Sequence, residues 1–224
     1  MRIFSFKPVL VISAIVSTTL ACSALSSLPS VPGVSGNASL LKDDFSDSNS
    51  GWGTGTDSNS SVEYVNGGLH MEGFRDNFFT WSNPDTETYK DVHMEVTVRN
   101  DGGDTKAGFG VMCDQQTVDS NYYYFSVSAD GEYVIGKAAA GTEDVFLTNQ
   151  NDWGTSDLIP KNADSYHIGA DCSHSTLTLY VNGKRVDSVS DATYQDGGVG
   201  LFLWTGDEPS GAVTYDDFVM TSLK

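Results

Sequence analysis

The sequence predicts an all-β protein built as an antiparallel sandwich of two sheets, and three observations carry that expectation. Almost every segment with an ordered pattern alternates apolar and polar residues with period two. Turn signals such as NGG, ADG, NG and DGG cut the chain into short runs of similar length. Asp makes up 23 of the 30 acidic residues, often beside Gly, Ser or Asn, a bias that favours turns over helices. No window carries a 3.6-residue apolar stripe longer than two turns.

The N-terminus stands apart from this pattern. Arg2 and Lys7 flank an apolar run from Val9 to Val16 that is too short to span a bilayer comfortably, and TTLAC follows. Residues 1–21 are therefore expected to be a secretory signal peptide, cut after Ala21. A cysteine directly after that small residue resembles the bacterial lipoprotein signal, although Thr19 stands where leucine is commonest. The resemblance implies diacylation of Cys22, and the alternative is an ordinary signal peptide with an incidental cysteine. Residues 22–39 are small, proline-punctuated and uncharged, a composition that forms a flexible tether and no core. Residues 40–224 suit one domain. The expected location is extracytoplasmic, at the cell surface or in the periplasm, with the lipid as the only membrane attachment.

Within the domain the strands follow in order. SVEYV, GLHMEGF and DNFFTWS are short alternating runs. DVHMEVTVRN places Val92, Met94, Val96 and Val98 on one face, with His93, Glu95, Thr97 and Arg99 on the other. GFGVMC aligns Phe109, Val111 and Cys113. YYYFSVS sends Tyr123, Phe125 and Val127 to the core and Tyr122, Tyr124 and Ser126 outward. GEYVIGK and DVFLTN follow, and YHIGADC aligns Tyr166, Ile168, Ala170 and Cys172. STLTLYVNGKRVDSV reads as a hairpin turning at Asn182-Gly183, with Tyr180 opposite Leu179. DGGVGLFLW directs Val199, Leu201 and Leu203 inward, leaving Phe202 and Trp204 outward, and AVTYDDFVM closes the chain. With Cys22 lipidated, Cys113 and Cys172 remain as an even pair whose thiols share the apolar face, so a disulfide is expected. Two separate buried thiols are the alternative.

Composition narrows the function. Loss of the first 21 residues removes Arg2 and Lys7 and no acid, taking the net charge from −18 to −20. Such a field repels nucleic acid and anionic headgroups and suits neutral sugars, cations or basic partners. There is no H-E-x-x-H, CxxC or G-x-S-x-G, and no phosphate-cradling glycine loop.

Taken in order, DDFSDSNSGW, NYYYFSVSADGEYVIGK, LTLYVNGKRV, GGVGLFLW and VTYDDFVM resemble the concanavalin A-like lectin/glucanase superfamily over residues 41–222. The nearest look-alikes are bacterial laminin-G-like domains and the 3-keto-disaccharide-hydrolase-type domain. The resemblance implies a jelly roll of two curved sheets with adjacent terminal strands. Glucan-cleaving members carry E-x-D-x-x-E, which places an acid and a nucleophile about 5 Å apart. No two of the seven glutamates here have that spacing, which leaves Glu95 with His93 as the candidate catalytic pair. A structural Ca²⁺ is implied near the terminal strands, with Asp44 and Asp216 as candidate ligands. The expected function is a lipid-anchored, non-catalytic glycan-binding module. Tyr122, Tyr124 and Trp204 would form its platform, with His93 and Arg99 nearby. Trp81 and Trp153 would rim a groove or plug an end of the sandwich. The alternatives are a sugar-cleaving enzyme and an adhesive domain that binds protein.

Overall fold

A computed structural model describes residues 39–84, 86–102, 106–116 and 121–224. The expected signal peptide, Cys22 and all but the last residue of the tether lie outside these residues. The chain forms strands β1 (Ser39–Asp43), β2 (Gly55–Thr56), β3 (Ser60–Val65), β4 (Gly68–Gly73), β5 (Phe79–Ser82), β6 (Val92–Asn100), β7 (Gly108–Gln115) and β8 (Tyr122–Val127). It continues through β9 (Glu132–Ala138), β10 (Val145–Phe146), β11 (Gly154–Thr155), β12 (Ser165–Ser173), β13 (Thr176–Val181), β14 (Lys184–Ser190), β15 (Gly198–Trp204) and β16 (Gly211–Ser222). No helix occurs among the described residues.

The strands make two antiparallel sheets. The larger runs β14-β13-β12-β6-β16-β4-β3-β2, with β1 also on β16; the smaller runs β10-β9-β8-β7-β15-β5, with β11 also on β9. β16 holds β6 along one edge and shares the other between β4, along Gly211–Tyr215, and β1, along Phe218–Thr221. A bulge makes this possible: the register with β6 shifts between Asp216 and Val219, where Asp217 takes a positive φ of 52°. The first and last strands are thus neighbours. The β13–β14 hairpin turns at Asn182 and Gly183, with φ of 51° and 72°, the left-handed pair that matches strand twist.

The inward residues meet between the sheets. Met94, Val96, Val98, Ile168 and Leu179 of the larger sheet pack in one cluster with Phe109, Val111, Phe125, Val127 and Leu201 of the smaller, all at most 1% exposed. Among the links between the layers, two lie deep in the core. Cys113 of β7 is disulfide-bonded to Cys172 of β12 across the core. The Tyr215 hydroxyl, fully buried, accepts the Gly110 N–H at 3.0 Å and donates to the Phe202 carbonyl. A buried hydroxyl without partners would be costly, so this bond holds β7 and β15 at a set height over β16.

The outer faces differ. On the larger sheet the outward side chains of β6 and β12 are largely polar. His93 Nδ1 lies 2.6 Å from Asp171 and its Nε2 3.4 Å from Glu95, while Tyr180 donates to Asp171 at 2.8 Å. Arg99 Nε donates to Asp101 at 2.5 Å. On the smaller sheet Met112, Tyr124, Val134 and Phe202 form a second buried apolar cluster. That face is the unusual one, because a two-layer sandwich ordinarily leaves its outer faces wet.

Candidate functional site

The second cluster does not close over. It floors a pocket of about 480 Å³ on the outer face of the smaller sheet. β8 supplies Tyr122, Tyr124 and Ser126, β15 supplies Phe202 and Trp204, and β5 supplies Phe79 and Trp81. Period-two alternation puts each set on one side of its strand. Register then brings the sets together: Trp204 lies opposite Phe79 and Phe202 opposite Trp81 across β15 and β5. The fourth wall comes from the segment that returns from β9 along β10 and β11, which carries Asp144, Phe146 and Trp153.

The rings are ordered against one another. Phe79 stacks on Phe202, with centroids 5.0 Å apart and planes 16° apart, and on Tyr122 at 6.0 Å. Trp153 and Trp204 stack at 5.8 Å and 18°. Such offset pairs contribute about 0.5–1.5 kcal/mol each beyond their burial, so the walls are held before any ligand arrives. Two glycines open the space. A Cβ at Gly136 would lie 2.1 Å from Tyr124 Cζ, so the far end of the tyrosine ring occupies the space that a side chain there would fill. A Cβ at Gly108 would lie 2.6 Å from Ser126 Oγ and 3.1 Å from Trp153 Cη2.

Polar groups in the pocket are few. The Tyr124 hydroxyl and the Asp144 carboxylate both line the pocket, near enough for each to influence the other's ionisation. Asp144 is an exposed residue of the rim that also lines the pocket, and desolvation there pushes its carboxyl above the ordinary carboxylate value, with the nearby Tyr124 hydroxyl acting the other way. Burial and the charge of Asp144 push the Tyr122 hydroxyl up to about 12, and they raise Tyr124 further, so both phenols remain donors at neutral pH. Ser126 is 1% exposed, and its hydroxyl has no hydrogen-bond partner among the described residues. A buried hydroxyl left unpaired is costly, and it lies just beneath the surface of the pocket.

Tyr122, Tyr124 and Trp204, the three rings expected from sequence, therefore line one hollow, and Trp81 and Trp153 rim it. Tyr124 is less open than alternation alone suggested: at 6% exposure it belongs to the floor. His93 and Arg99 must be moved. They lie on β6 of the other sheet, and their side chains point to its polar outer face, so neither is near the rings. Glu95 sits there too, 3.6 Å from His167 as well as beside His93. The Asp44 carboxylate accepts from the Ser46 hydroxyl and N–H, and that of Asp216 accepts from the Asp217 N–H. No group of three metal-ligating side chains is assembled among the described residues.

Phe79, Asp144 and Phe146 were not singled out from the sequence. DNFFTWS did hold a signal for Phe79, because it shares a strand face with Trp81. Asp144 and Phe146 gave none, since only chain return places them over β8.

With sheets, topology and pocket defined, known structures provide a comparison. No protein-family model and no curated protein matches the chain. The fold does match. A carbohydrate-binding module, CBM66 from Bacillus subtilis, superimposes with a TM-score of 0.61 at 17% identity, covering 77% of this chain and 96% of that one. The chain has a concanavalin A-like jelly-roll fold. A Bacillus subtilis protein of unknown function with a galectin-like fold agrees with this jelly roll at TM-score 0.62 and 13% identity, over 83% of this chain and 96% of its own. A Bacillus licheniformis β-glucanase agrees at 0.58 and 12%, over 85% and 100%. At such identities the likeness concerns fold.

Proposed function

We propose that this protein is an extracytoplasmic, lipid-anchored, non-catalytic module that binds a glycan in the ring-walled pocket. The observation that carries the reading is the pocket itself: flat aromatic walls around a small set of polar groups at Asp144, Tyr122, Tyr124 and Ser126. Sugar rings present C–H faces that lie against aromatic faces, and hydroxyls that need fixed partners. Similarity to a structure named as a carbohydrate-binding module and to a β-glucanase supports the ligand class. Asp144 is the one carboxyl among the lining residues, whereas glycosidases of the two-carboxylate kind set a pair about 5–9.5 Å apart. That supports binding over hydrolysis. The signal-like N-terminus and Cys22 support the anchor.

A glycan array probed with the purified full chain tests the reading. We expect selective binding to a class of oligosaccharide, with affinity lowered at least about 5-fold in Trp153→Ala and in Trp204→Ala, a stacked ring being worth roughly 1 kcal/mol or more. Binding retained in both variants, or an array silent throughout, removes the proposal. Release of sugar ends from a polysaccharide, abolished by Asp144→Asn, would replace it with a hydrolase.

A further inference from the structure

The chemistry of the pocket narrows the ligand beyond "a glycan", and the step rests on the reading above. The lining holds one charged side chain, Asp144, and no Lys, Arg or His. Its carboxylate therefore borders the hollow without a cation of this chain among the lining residues, and the polar side chains that share the lining, Tyr122, Tyr124 and Ser126, are neutral. The same hollow is lined by the aromatic rings of Tyr122, Phe146 and Trp153. Ring faces carry negative quadrupole potential, so rings and carboxylate attract the same thing, a positive charge. The net charge of −18 adds a background of the same sign. A uronic or sulfated sugar would meet repulsion here, and a neutral sugar would leave the carboxylate's charge uncompensated.

We propose that the pocket selects a glycan bearing a free amine, its ammonium paired with Asp144 and lying against the surrounding ring faces. A 2-amino sugar has the required form: the ring offers a C–H face for Trp153 or Trp204, and the ammonium projects from its edge.

Calorimetric titration of the full chain in detergent tests this with three β-linked oligomers of equal length, made of glucosamine, N-acetylglucosamine or glucose. The amine should bind about 10-fold or more tightly than the other two, the scale of a charge-assisted contact. Asp144→Asn should erase that preference, as should raising the pH until the amine is neutral. An acidic protein also draws polycations without any site, so Glu143→Gln serves as the charge-matched control one residue away; it is exposed, and it is absent from the lining. Equal binding of the three oligomers overturns the amine selectivity while the glycan reading stands. Equal losses in Asp144→Asn and Glu143→Gln reduce the preference to a general field effect and overturn it as well. Silence toward these probes and the whole array removes both readings together.

Discussion

Asp114 should make this protein less stable at neutral pH than it is in mild acid. The residue lies on β7, next to the cystine, and is 6% exposed. Burial, then the charges of Asp196 and Asp91, push its carboxyl from the ordinary 3.8 up to about 6. A folded-state pKa above the unfolded one means that the native chain keeps a proton the unfolded chain releases. That contribution is fully present below pH 3.8, declines as pH rises through about 6, and is absent above. The interval from 3.8 to about 6, at about 1.4 kcal/mol per pH unit, amounts to about 3 kcal/mol. Asp114→Asn removes the charge and retains a residue that tolerates the local φ of +50°. The variant should match the parent near pH 4 and exceed it by up to about 3 kcal/mol at pH 8, a rise of roughly 6–12 °C in Tm for a domain of this size. Thermal unfolding of both proteins at pH 4, 6 and 8 measures the difference directly. A difference that does not change with pH, or a variant less stable at pH 8, would refute the reasoning, because the cost would then not come from ionisation.

Other perturbations follow from particular contacts. Replacing Cys113 and Cys172 together by Ser opens a loop with a sequence separation of 59 and should cost about 4 kcal/mol, read as a lowered Tm; an unchanged Tm would mean the cystine constrains nothing. Gly136→Ala places a methyl 2.1 Å from Tyr124 Cζ, so the ring must swing into the hollow, and glycan affinity should fall at least about 10-fold by titration. Full affinity in that variant would put the ligand elsewhere. Ser126→Ala deletes a buried hydroxyl without a partner among the described residues, so stability should hold or rise by about 1 kcal/mol; a clear loss of stability in thermal unfolding would reveal a partner for that hydroxyl. Metabolic labelling with a palmitate analogue should mark the parent chain and not Cys22→Ser, and an unlabelled parent would reduce the anchor to simple secretion.

Much of the architecture can be read without coordinates because strand periodicity is local. Val92 to Val98 alternate in the sequence and alternate in space, and Asn182-Gly183 turns where two small, φ-tolerant residues permit it. The same rule assigned Tyr122, Tyr124 and Ser126 to one face and Tyr123, Phe125 and Val127 to the other. The two cysteines were legible as a pair on the same grounds, since each shares the apolar side of its strand.

Alternation assigns a side chain to a face but does not say which sheet owns the face, and there the tertiary structure decided. His93 and Arg99 have the outward phase of Tyr122, yet strand order places β6 in the larger sheet and β8 in the smaller, so their outward directions lead away from each other. Whether a hollow exists was also settled only by packing: it depends on Gly108 and Gly136 lying beneath particular rings, and on Asp144, Phe146 and Trp153 returning over β8. Side-chain phase is set within a few residues of chain. Which faces meet, and what space remains between them, depends on contacts between residues far apart in sequence.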